Sequence, residues 1–122
     1  MENVTVTVSY NPDRVPREIL GYLGKQVSIA VAAAHPALPK SEKPTSKDVE
    51  VGFVAHGPYD VNRKDLAIVV RADFSPKRSA ALASQMNEIE AHIREFLAIS
   101  NYPKHLTTYV QVVLQHAVLG EI

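Results

Sequence analysis

The chain opens on Val4-Thr5-Val6-Thr7-Val8-Ser9-Tyr10, a strict alternation of apolar and polar residues. A period of two predicts a strand with one buried face and one small, hydroxylated face. Asn11-Pro12 follows, a pair suited to the N-cap and first position of a helix. Ile19, Leu20, Leu23, Val27, Ala30, Val31 and Ala34 then recur at helical spacing. Pro16 fits only the first turns of that helix, and Gly21 and Gly24 weaken its middle. Residues 35–47 are rich in Pro, Lys, Ser and Glu and read as a solvated connection within one domain.

Alternation returns over Asp48–His56, with Val49, Val51, Phe53 and Ala55 on one face. Gly57-Pro58-Tyr59-Asp60 predicts a turn, and Asn62-Arg63-Lys64 lengthens the loop. Leu66-Ala67-Ile68-Val69-Val70 is a continuous apolar run of strand length, as a central strand requires. A second helix is predicted from Ser75-Pro76, its inner face carrying Leu82, Met86, Ile89, Ile93, Phe96 and Leu97. Asn101-Tyr102-Pro103 ends it, and Thr107–Gln115 is the last strand. The order is β-α-β-β-α-β, an α+β fold with two helices on one face of a four-stranded sheet. Each helical stripe runs about twenty residues, longer than the mean of about 11–12.

A repeat lies within that order. Tyr10-Asn11-Pro12-Asp13-Arg14 aligns with Phe74-Ser75-Pro76-Lys77-Arg78 at an offset of 64 residues. The same offset carries Val4 onto Ile68, Val6 onto Val70 and Val49 onto Val113. The chain thus reads as a single domain, 1–122, made of pseudo-repeats 1–60 and 61–122. Each repeat places an Arg, Arg14 or Arg78, in the first turn of its helix, where a cation is mildly disfavoured by the helix dipole. A guanidinium beside free N–H groups suits a carboxylate or phosphate. The plainer alternative is a local ion pair, Arg14 with Asp13 or Glu18 and Arg78 with Asp73.

Composition removes whole classes of chemistry. The 122 residues carry no net charge with His neutral, which disfavours nucleic acid or an anionic membrane as partner. There is no Cys, so disulfides, thiolate metal sites and cysteine nucleophiles are excluded. With 46% hydrophobic residues the chain can bury a core. Its longest apolar run, Ile29–Ala34, is too short to span a membrane. No basic, apolar leader opens the sequence, so a cytoplasmic protein is expected. The five His (His35, His56, His92, His105 and His116) show no metal-ligand spacing, and neither a metal nor a cofactor is expected.

Two fused β-α-β units with long helices, and Arg78-Ser79 opening the second helix, resemble the tautomerase superfamily. That group includes 4-oxalocrotonate tautomerase, 5-carboxymethyl-2-hydroxymuconate isomerase and macrophage migration inhibitory factor. The stretch from Asp65-Leu66-Ala67-Ile68-Val69-Val70 to Arg78-Ser79 is similar to the isomerase branch, and Lys43-Pro44 to the Lys-Pro of the inhibitory-factor branch. The resemblance implies a homotrimer with its sheets around a central barrel and its helices outside. It also implies a small keto or enol carboxylic acid as ligand, held by Arg14, Lys43 and Arg78, in a weak or degenerate isomerase. The family's base is an amino-terminal proline, whereas residue 2 here is Glu, so the amine at hand is that of Met1 and no catalytic base is assigned. A further departure is Lys47-Asp48 and Thr108-Tyr109 where the family has arginines. Thr107 stands where inhibitory-factor members have a Tyr, and Tyr109 lies two residues on. The competing expectation is a ferredoxin-like module with no catalysis, which shares the element order.

Overall fold

A computed structural model describes residues 4–34, 45–61, 63–73, 76–99 and 106–115, with the backbone alone at 73, 76–78, 99 and 115. Its elements are β1 (Val4–Tyr10), α1 (Arg17–Ala34), a short 3-10 turn (Ser46–Asp48), β2 (Val49–Ala55), β3 (Leu66–Asp73), α2 (Pro76–Ile99) and β4 (Thr108–Gln115). The strands form one sheet in the order β2-β1-β3-β4. β1 and β2 run parallel, as do β3 and β4, and the central pair β1/β3 is antiparallel.

This order disposes of the ferredoxin-like alternative. In that fold each β-α-β unit is split by an intervening strand, whereas here β1 lies directly beside β2 and β3 directly beside β4. The helices, at 18 and 24 residues, have the length that their stripes predict.

The core lies between the sheet and the two helices. Val4, Val6 and Val8 of β1 and Leu66, Ile68 and Val70 of β3 are all at most 2% exposed. Against them pack Ile19, Leu23, Val27 and Val31 of α1 and Ile89, Ile93 and Leu97 of α2. Each such side chain contributes about 1.5–3 kcal/mol by leaving water, so this slab dominates the stability. Gln85 is an exception, a carboxamide 3% exposed on the inner stripe of α2. At the sheet edge Phe53 meets Tyr10 edge-to-face, with centroids 6.4 Å apart. Its ring also lies over Gly24, where an added Cβ would stand 3.2 Å away, so this glycine permits the close approach of α1 to β2.

Three expectations change. First, α1 begins at Arg17, not at Pro12. Asn11 Oδ1 accepts the Asp13 N–H (3.0 Å), and Asn11 O accepts those of Arg14 (3.0 Å) and Val15 (2.8 Å). The cap chemistry of Asn11 therefore closes a separate turn. Pro16 is the cause, because a residue before proline is pushed out of the helical region, and here that residue is Val15. Arg14 is consequently in a turn and not in a helix. Second, the counterpart of Val49 is Val110, not Val113, since Val4 pairs with Val49 and Ile68 pairs with Val110. Val113 pairs with Arg71 on the other face, a shift of three residues. Third, β3 continues to Asp73, three residues past the apolar run.

Candidate functional site

Because β1 and β3 are antiparallel, the two helix junctions fall at opposite ends of the sheet. At the far end β1 finishes and β3 begins, with Tyr10 paired to Leu66. At the near end β1 begins beside the start of β2, and β3 finishes and leads into α2. The ends are roughly 20 Å apart, from seven residues of strand at about 3.3 Å each.

The far end is built around Asp65. Its Oδ2 accepts the Thr107 N–H (3.0 Å) and the Thr107 hydroxyl (3.2 Å), and Arg14 Nε lies 3.3 Å from the same oxygen. Oδ1 accepts from Asn11 Nδ2 at 3.4 Å. The main chain closes the cluster: the Asp65 N–H donates to Thr107 Oγ1 (2.9 Å), and the Asn11 N–H donates to Asp65 O (2.8 Å). Partial desolvation pushes the Asp65 pKa up, but the Thr107 N–H, the Arg14 charge and the Thr107 and Asn11 side chains outweigh it. The result is a carboxyl held below its ordinary range.

Beside this cluster the His56 N–H donates to Tyr10 O at 2.8 Å, while His56 Nε2 is buried with no hydrogen-bond partner among the described residues. Asp60 closes the following turn by accepting the Gly57 N–H (2.7 Å), with Arg63 at 3.3 Å. The Gly57 hydrogen bond is the main reason its pKa is lowered. His92, in α2, is hydrogen-bonded to Gln26 of α1 at 2.9 Å and so ties the helices together. His35, His105 and His116 lie outside the described residues.

At the near end Thr45 donates through its N–H (2.8 Å) and its hydroxyl (3.1 Å) to Asp48 Oδ2, fixing the turn that leads into β2. Arg71, on the helix-free face, donates to Thr7 Oγ1 at 3.5 Å. Arg78 is in the first turn of α2, a turn without acidic residues. Its side chain is outside the described residues, as are Lys43 and residues 1–3.

Within one chain, then, Arg14 and Arg78 lie at opposite ends of the sheet, and Lys43 is outside the described residues. The backbone of Arg78 and the turn Ser46–Asp48 belong to the near end, and Arg14 belongs to the far end. Arg14 is paired with Asp65, which is remote in sequence and was not among the local acids expected. Asp65 and Thr107 were not singled out as a pair. One signal does point to them: each stands immediately before a strand of a parallel neighbouring pair, where the chains run side by side.

The helix-free face carries Thr5, Thr7 and Ser9 down its centre, with Val54 (51% exposed) and Tyr109 (43% exposed) toward its edges. No helix among the described residues is long and apolar enough to cross a membrane.

No protein-family model matches the sequence, and no curated protein matches it significantly. Solved structures do match the fold. A fused 4-OT, an asymmetric trimer, is 12% identical with a TM-score of 0.57, covering 92% of this chain and 86% of that one. FG41 malonate semialdehyde decarboxylase, inhibited by 3-bromopropiolate, is 16% identical with a TM-score of 0.60, covering 92% and 83%. A probable enzyme from the thermophilic fungus Aspergillus fumigatus is 16% identical with a TM-score of 0.61, covering 100% and 82%. The 4-OT and the decarboxylase are tautomerase-superfamily members, and the present chain has the tautomerase-superfamily fold. At such identities the likeness is one of fold.

Proposed function

We propose that this chain is a tautomerase-like protein that binds a small keto or enol carboxylic acid at the near end of its sheet. The observation that carries the reading is the fold: two unsplit β-α-β units on a mixed sheet, superposing on 4-OT and malonate semialdehyde decarboxylase over 92% of the chain. Lys43 and Arg78 are the anion-holding residues of the proposal. Arg78 opens α2 at the end where β1 and β2 begin, Lys43 is carried over from the sequence alone, and a guanidinium forms charge-assisted, bidentate bonds with a carboxylate. Arg14 is set apart from them, since it already faces Asp65.

The chemistry suited to such a ligand is proton transfer between carbon and oxygen, in a weak or degenerate isomerase. No side chain is assigned as its base. The assembly proposed is a homotrimer in which the hydroxyl-bearing sheet face turns to a shared axis. Three chains of 13.4 kDa give a particle of about 40 kDa.

Titration calorimetry with phenylpyruvate and 2-hydroxymuconate tests the reading, alongside an assay of ketonisation. Saturable binding is expected, weakened about 10- to 100-fold by Arg78→Ala, as loss of a hydrogen bond to a charged group implies. Absence of saturable binding of either acid contradicts the proposal. Binding without turnover keeps the ligand class and removes the isomerase.

A further inference from the structure

We propose that Asn11, Arg14 and Thr107 form a carboxylate-binding cradle at the far end, able to take a free carboxylate, that the chain fills with its own Asp65. Four donors converge on this carboxylate from separate segments: the Asn11 amide, the Arg14 guanidinium, and the main-chain N–H and hydroxyl of Thr107. The acid is the inner partner, its side chain 13% exposed against 46% for Arg14. A surface ion pair has two exposed partners and little structure around them. Here a carboxylate sits against a main-chain N–H, a hydroxyl, an amide and a cation, which is what an external carboxylate needs from a protein site.

The repeat makes the two ends comparable. The offset of 64 residues that carries Arg14 onto Arg78 carries Met1 onto Asp65. That counterpart, Met1, lies outside the described residues. That the near end takes external ligand rests on the functional reading above; that Asp65 fills the Arg14 cradle does not.

Chemical rescue tests the filled cradle. Asp65→Ala removes the carboxylate and leaves room for formate. Its melting temperature should fall by about 5–15 °C, as loss of several hydrogen bonds to a charged group implies for a domain of this size. Sodium formate, compared with sodium chloride at equal ionic strength, should restore at least half of that loss along a saturating curve. The double variant Arg14→Gln/Asp65→Ala should show no formate-specific recovery, and the unsubstituted protein should respond to both salts alike. If Asp65→Ala is unfolded without added anion, recovery of its helical circular dichroism on adding formate replaces the melting temperature as readout. Equal effects of formate and chloride on Asp65→Ala, or equal formate rescue of the double variant, would overturn the proposal. Rescue by formate without phenylpyruvate binding to the unsubstituted protein would remove the functional reading and leave the cradle standing.

Discussion

The two β-α-β units share a core and differ at their junctions. An offset of 66 residues superposes the inner stripes of the helices: Leu23 on Ile89, Val27 on Ile93 and Val31 on Leu97, all buried. The next pair, Ile19 and Gln85, breaks the match, for the second unit buries a carboxamide where the first buries an isobutyl-sized group. Between the strands the offset is 64, and between β2 and β4 it is 61, because β2 follows β1 by 45 residues and β4 follows β3 by 42. Strand-to-helix passage differs in length as well: a separate turn closed by Asn11 stands between Tyr10 and Arg17 in the first unit, whereas in the second β3 ends at Asp73 and α2 begins at Pro76. Packing fixes what must stay alike, and the junctions are where two similar halves can acquire different chemistry.

The largest effects should come from the shared core. Leu23→Ala and Ile89→Ala occupy matching positions, both fully buried. Each is expected to cost about 3 kcal/mol in urea unfolding. A difference between them well beyond about 1.5 kcal/mol would show that the helices are not equivalent in the core.

Next in size is the far-end junction. Asp65→Asn keeps the shape and removes the charge, and should cost about 2 kcal/mol at neutral pH. The folded pKa of Asp65 is lowered, so its contribution is complete above the ordinary carboxylate range and is lost as pH falls through the lowered value. Stability curves of the two proteins should therefore converge in acid. Parallel curves down to the acid limit would show that Asp65 is not the group responsible.

Gln85→Met should have the opposite sign. Gln85 Oε1 is buried without a partner among the described residues. An apolar side chain of similar length is expected to raise stability by about 1 kcal/mol, seen as a rise of a few degrees in melting temperature. A fall would mean that the carboxamide has a partner, a buried water above all.

The smallest contrast lies within α1. A Cβ at Gly21 meets nothing within 4 Å, and one at Gly24 meets the Phe53 ring at 3.2 Å. Gly21→Ala should stabilise by about 0.5–1 kcal/mol, and Gly24→Ala by less or not at all. Equal gains in thermal unfolding would show that Phe53 yields freely.

The fold was readable because its periods are clean. The valines of β1 alternate at two, the helical stripes run at 3.6, and Leu66–Val70 is uniformly apolar, as a strand in mid-sheet should be. Where α1 begins was not readable from Asn11-Pro12, since the same capping residue can close an isolated turn, and Pro16 decides the matter from five residues away. The Val113 pairing failed because a repeat offset says nothing of the length of each crossover. The Arg14–Asp65 contact spans 51 positions and depends on β1 lying beside β3, a fact of sheet order that no local pattern encodes. Arg78 remains an assignment from sequence and topology together, and Lys43 one from sequence alone.

One measurement addresses the contrast between the two ends directly. Backbone amide shifts of the full chain are followed by NMR while phenylpyruvate is added. Saturating changes are expected at Val4, Lys47, Arg71 and Arg78, with Asn11, Arg14, Asp65 and Thr107 unmoved. Changes centred on that second group, or none at either end of the sheet, would contradict the account.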